Sequence, residues 1–115
     1  MTSLLPNGSR AILDIRKLAD YCLNPAHLRG RHKARVFRQA LGFKRGDAAE
    51  LRDRLLEAAR DNVALELPGD VRGSRWRVDV AISRQGKRAV VRSLWLIRAG
   101  EFEPRLVTCW VLCGR

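Results

Sequence analysis

The chain has 115 residues, 46% hydrophobic and 30% charged, enough for one domain with a single core and too apolar for a disordered chain. Lys and Arg number 23 against 12 Asp and Glu, a formal net charge of +11. No run approaches the roughly 18 apolar residues of a spanning helix, the first ten residues hold too short an apolar stretch for a secretory signal, and no Gly-Lys-Ser/Thr loop is present to cradle a nucleotide's phosphates.

The first half carries helical periods. Asp14 is placed to cap a helix through Ile15, Leu18, Ala19 and Cys22, which Asn24-Pro25 ends. A second helix is predicted over Arg31–Leu41, with Ala34, Phe37 and Leu41 on one stripe and Gly42 as its stop. A third starts at Asp47, where Glu50 stands at the capping-box spacing; Leu51, Leu55, Ala58 and Ala59 point inward, and the end falls near Asp61-Asn62.

The period then changes from about four to two. Residues 64–67 form a short candidate strand and 68–74 a loop rich in turn formers. Over 75–84, Trp76, Val78, Val80 and Ile82 share one face, with Arg75, Arg77, Asp79 and Ser83 on the other. Gln85-Gly86-Lys87 makes a hairpin turn into a strand over 88–98, and residues 99–104 turn into a last strand over 105–113. Consecutive hairpins give an antiparallel sheet of about four strands, and the order of elements gives an α+β domain with the helices on one sheet face. Both faces of the last two strands are apolar, so either these strands sit centrally in the sheet or their second face meets something besides water, and a homodimer is one way to cover it.

The surplus of positive charge makes nucleic acid the first partner to consider. The competing explanation is arginine-favouring codons, since only four of the basic residues are lysine. Cys22, Cys109 and Cys113 form no CxxC and lack the spacing of a zinc site. Cys109 and Cys113 on one strand would lie about 13 Å apart, beyond disulfide reach, so reduced, buried thiols and the cytosol are expected.

Only two histidines are present, His27 and His32. His32 stands in Gly30-Arg31-His32-Lys33-Ala34-Arg35, where surrounding cations favour the neutral imidazole. Such an imidazole can take a proton from a ribose 2′-hydroxyl while Lys33 or an arginine holds the charge on phosphate, the chemistry of a metal-free ribonuclease. The alternative is a solvated basic first turn. Ser93 and Trp95 share a strand face and Arg92 points away from them. Trp95 could stack a base or belong to the core, and Thr108 could join Ser93 at phosphate oxygens or serve only the sheet. Asp79 is a general-base candidate or the partner of a cross-strand arginine. No group of carboxylates or histidines suggests a metal, and no cofactor is implied.

The stretches Lys17-Leu18-Ala19-Asp20-Tyr21-Cys22-Leu23-Asn24-Pro25, Gly30 to Phe37, Ala40-Leu41-Gly42-Phe43, Val91 to Ile97 and Pro104 to Thr108 resemble a small bacterial toxin-like domain family. It is related to the C-terminal modules of contact-dependent-inhibition and other polymorphic toxins, and is similar to the barnase, EndoU, colicin and RelE group of ribonucleases. The resemblance covers about residues 5–108. It implies N-terminal helices against a four-stranded antiparallel sheet, and it implies site roles for Lys33, Arg92, Ser93, Trp95, Arg105 and Thr108, joined by His32. Ser93 stands where threonine is expected, and the apolar finish Cys109-Trp110-Val111-Leu112-Cys113 departs from the pattern.

The resulting expectation is a metal-independent endoribonuclease that cleaves tRNA or mRNA through a 2′,3′-cyclic phosphate. In it His32 is acid or base, Lys33, Arg92 and Arg105 hold phosphate charge, and Ser93 and Thr108 orient the phosphate. Arg31, Arg35 and Trp95 contact RNA, and an acidic antitoxin or immunity protein covers the cleft. The rivals are a non-catalytic RNA- or DNA-binding module and a protein-interaction domain whose basicity reflects codons alone.

Overall fold

The computed structural model describes residues 2–112. In chain order it has β1 (Thr2–Leu4), a 3-10 turn (Gly8–Arg10), one turn of π-helix (Leu18–Cys22), α1 (Arg31–Leu41), a 3-10 turn (Arg45–Asp47), α2 (Ala48–Asp61), β2 (Val63–Asp70), β3 (Gly73–Arg84), β4 (Lys87–Arg98) and β5 (Arg105–Val111). The strands form one antiparallel sheet in the order β1-β2-β3-β4-β5, with α1 and α2 on one face. The architecture is α+β, and the sheet has five strands rather than four. The added strand, β1, pairs Thr2, Ser3 and Leu4 with Leu65, Ala64 and Val63. Three residues are too few to display a period of two.

α1 keeps its predicted bounds, and Gly42 ends it at φ 70°, a conformation that favours glycine. Asp14 caps the first helical segment as expected, its Oδ1 accepting the Arg16 amide at 3.0 Å. That segment then widens into a π turn closed by Leu23 N–H to Leu18 O at 2.8 Å, which turns Leu18, Cys22 and Leu23 all inward. Asp47 and Glu50 do not make a capping box on α2. Asp47 instead accepts the Lys44 amide, and Glu50 reaches Arg84 on β3.

β2 runs on through Pro68 and Gly69, where a loop was expected; a bulge between Leu67 and Asp70 accommodates the proline, leaving only Val71 and Arg72 as the turn. The next hairpin turns on Gln85 and Gly86, both at positive φ, and fits the predicted position. The final strand stops at Val111, and Cys113 lies outside the described residues.

The core fills the space between sheet and helices. Trp95, Phe37, Phe43, Leu51, Leu55 and Val78 are among its largest fully buried side chains, each contributing about 1.5–3 kcal/mol by leaving water. On the outer face Arg77 stands opposite both Leu65 and Leu94, and Arg75 opposite Leu67 and Leu96. Alkyl stems of arginine thus alternate with the leucines that made this face look two-sidedly apolar.

Candidate active site

Three adjoining concavities follow β5. The first, about 370 Å³, is lined by Lys17, Arg72, Arg75, Arg98, Arg105 and Val107 among others. The second, about 810 Å³, takes in Lys17, Tyr21, His27, Lys33, Val107 and Thr108 together with Arg16 and the carboxylates Asp14 and Asp20. The third, about 430 Å³, is walled by His32, Lys33, Val36, Trp110 and Val111. Asp14, Lys17 and Val107 are common to the first two and Lys33 to the last two, so they form one groove. Six strand steps from Arg105 to Val111 give it a length of about 20 Å.

Lys33 occupies the middle. Its Nζ donates to Thr108 Oγ1 at 2.8 Å and lies 5.0 Å from the Tyr21 ring centre and 5.5 Å from that of Trp110. The ammonium is held by one hydroxyl and two aromatic faces, which leaves two of its three hydrogens for a ligand. Thr108 reaches it because a bulge interrupts the pairing of β5 with β4. Leu94 stands opposite Thr108 and Trp95 opposite Leu106, with Val107 the extra residue. α1 is brought against the π turn by Gly30, where a Cβ would lie 2.1 Å from the Tyr21 carbonyl oxygen.

Beneath Thr108 lies a buried pair of thiols, Cys22 and Cys109, both free. Thr108 Oγ1 is 3.8 Å from Cys22 Sγ. A hydrogen bond from the Cys109 thiol draws Cys22 down to about 6, with help from the Cys109 amide, the Thr108 hydroxyl and the charge of Lys33 against the opposing effect of burial. The same thiol bond, together with burial, pushes Cys109 well up. A polar relay therefore runs from Lys33 through Thr108 to Cys22. Ile12 bridges the beginning of β5 on its open edge.

His32 is exposed on α1 and shares the third concavity with Lys33. His27 lies across the second. Its Nδ1 accepts the amides of Arg29 and Gly30, each at 3.0 Å, which fixes the neutral tautomer with the proton on Nε2, and its ring meets Tyr21 edge-on at 4.8 Å. Its place in the groove was not legible in the sequence, nor were those of Tyr21, Lys17 and Trp110. The only signal was that Tyr21 and Trp110 interrupt otherwise small or aliphatic stretches.

Of the residues singled out beforehand, the groove unites His32, Lys33, Thr108 and, at its far end, Arg105, whose Nε donates to Glu101 at 3.2 Å. The structure corrects three others. Ser93 is 0% exposed; its hydroxyl donates to Val78 O at 2.8 Å and accepts the Trp95 indole N–H at 2.9 Å, so it holds the core and cannot orient phosphate. Trp95, also 0% exposed, cannot stack a base. Arg92 lies on the outer sheet face in a bidentate pair with Asp79, both bonds 3.0 Å. Asp79 is thereby a cross-strand partner rather than a free base. Arg31 and Arg35 line a separate cleft of about 490 Å³ with Arg38, Lys44 and Arg45.

No helix among the described residues is long and apolar enough to cross a membrane. The fold and groove define a small basic α+β domain with a cationic channel along one sheet edge. The chain belongs to the family described as Domain of unknown function (DUF6883), whose model matches residues 4–113. It shares its fold with a chain of a solved contact-dependent growth inhibition toxin and immunity protein complex from Klebsiella pneumoniae 342, at a TM-score of 0.68 and 17% identity, covering 89% of this chain and 100% of that one. No curated protein matches.

Proposed function

We propose that this domain is a toxin-like, metal-independent endoribonuclease, cleaving tRNA or mRNA in the β5 groove and neutralised by an acidic immunity protein. The observation that carries the proposal is the Lys33 ammonium, fixed by Thr108 between Tyr21 and Trp110 at the centre of a cationic groove. In this reading His32 takes the proton from a ribose 2′-hydroxyl. O2′ then attacks phosphorus, the bond to the 5′ oxygen breaks, and water in the open groove supplies that oxygen's proton. Lys33 stabilises the charge accumulating on the phosphoryl oxygens. Thr108 positions Lys33, Tyr21 or Trp110 offers a face for a base, and Lys17, Arg72 and Arg105 steer the strand. His27, with its proton on Nε2, is a hydrogen-bond donor rather than a base.

The related complex is described as containing both a toxin and an immunity protein. A net charge of +11 favours the toxin side, because a protein acting on polyanions gains encounter rate from positive charge while its inhibitor must supply the carboxylates.

Incubation with total RNA in excess chelator tests the reading. Fragments ending in 2′,3′-cyclic phosphate are expected, with cleavage reduced about 10²–10³-fold in Lys33→Ala, the scale of losing one charge-stabilising donor, and about tenfold or more in Thr108→Val through misplacement of Lys33. Intact RNA that is bound in a salt-sensitive complex would overturn it in favour of a binding module.

A further inference from the structure

The cleft on the other side of α1 is not explained by the groove. Around the helix, His32, Lys33 and Val36 form one sector, Ala34, Phe37 and Leu41 the buried stripe, and Arg31, Arg35 and Arg38 the sector beyond it. The three arginines recur at spacings of four and three and span about 10 Å of helix axis. Lys44 faces them across a floor that includes Leu23 and Phe43. Arg45, at the rim, bonds Asp20 at 2.7 Å; Arg31, Arg35, Arg38 and Lys44 make no ion pair with any described residue.

Four cations without carboxylates, placed side by side, repel one another and gain only by sharing an anion. Three are arginines, whose planar fork grips two phosphate oxygens at once. We propose that this cleft is a second nucleic-acid site, an exosite that holds a backbone segment other than the one lying in the β5 groove. The proposal rests on the ribonuclease reading and narrows its substrate to folded RNA. The two concavities flank a helix about 10–12 Å across, so a stem-loop with two neighbouring backbones can occupy both, whereas a short single strand fills only the groove.

The experiment measures binding of the full chain to uncleavable RNA, 2′-O-methylated throughout, as a stem-loop and as a short single strand over a range of salt. Arg31→Ala/Arg35→Ala/Arg38→Ala is compared with Arg10→Ala/Arg77→Ala/Arg88→Ala, which removes the same charge elsewhere. Alanine preserves the helix, and circular dichroism verifies the fold of each variant. The first triple variant is expected to lose the preference for the stem-loop and to reduce the magnitude of the salt slope by about 2–3, while the second keeps the preference. Equal weakening by both triples, which marks a field effect, overturns the exosite, as does an unchanged stem-loop slope. Loss of poly-glutamate binding with stem-loop binding intact also overturns it and assigns the cleft to an acidic protein. Because the RNA cannot be cut, these outcomes stand even if total RNA is left intact in the cleavage assay.

Discussion

At the scale of single residues, hydroxyls and thiols with similar sequence signals have opposite fates. Ser93 links the Val78 carbonyl to the Trp95 indole inside the core, so Ser93→Ala leaves a buried N–H without its acceptor. Urea denaturation is expected to register a loss of about 1–3 kcal/mol, with cleavage per folded molecule unchanged. A large fall in turnover at full folding would return Ser93 to the site. Cys22 offers a second measurement. In protein carrying Cys113→Ser, thiolate absorbance is expected to rise through a transition near pH 6, which moves upward in Cys109→Ala and less far in Thr108→Val, following the order of causes that lower it. The depressed pKa also sets the sign of Cys22's own linkage. Its stabilising contribution is fully present above the unfolded thiol's value of 9.0 and is lost as pH falls through about 6. A single transition above pH 8 in the parent protein would contradict the relay.

Among elements, the placement of α1 decides whether Lys33 reaches the groove, and Gly30 sets that placement. Gly30→Ala drives a methyl group into the Tyr21 carbonyl, which is expected to cost about 1–3 kcal/mol by overpacking and to lower cleavage about tenfold to a hundredfold as the helix start shifts. Gly46→Ala, with nothing within 4 Å of the added carbon, is the control, expected to leave both properties unchanged. Thermal melts and initial rates on the two variants separate a packing effect from a general intolerance of substitution. Elements of this kind were well marked in the sequence where one face is buried and the other solvated, as in α1, α2 and β3, because burial imposes a period. The π turn, the bulge at Val107 and the continuation of β2 through Pro68 left no such mark. Each is an irregularity whose stability comes from a neighbour far along the chain: the Thr108 hydroxyl beside Cys22, the β4 register beside Val107, and β3 alongside Pro68. For the same reason Lys33 and Thr108 could be picked out individually while their 2.8 Å contact could not, and parity alone could not tell that Ser93 faces the core.

For the whole molecule, the question is whether the charge of +11 is functional or only compositional. The carboxylates answer in part, since they are not spread evenly among the cations. Asp47 and Glu50 gather at Arg84 and Asp79 at Arg92, while at the concavities Asp14 pairs with Arg16, Asp20 with Arg45, Asp70 with Arg75 and Glu101 with Arg98 and Arg105. Arg31, Arg35, Arg38 and Lys33 make no ion pair with any described residue and line the concavities flanking α1, and Lys17 and Arg72, also without one, line the groove along β5. A folded state that concentrates unneutralised charge in this way carries a self-repulsion that any polyanion binding across it relieves. Because such a ligand prefers the folded chain, it raises the melting temperature by mass action. Uncleavable RNA at low salt is therefore expected to raise the melting temperature by several degrees, as a gain of about 1–3 kcal/mol would in a domain of this size. The shift should fall away as salt approaches molar concentration and screening shortens to about 3 Å. Codon composition alone predicts a different result. Charges without a common binding surface would give a shift that is small at every salt concentration and indifferent to whether the three removed arginines come from α1 or from Arg10, Arg77 and Arg88.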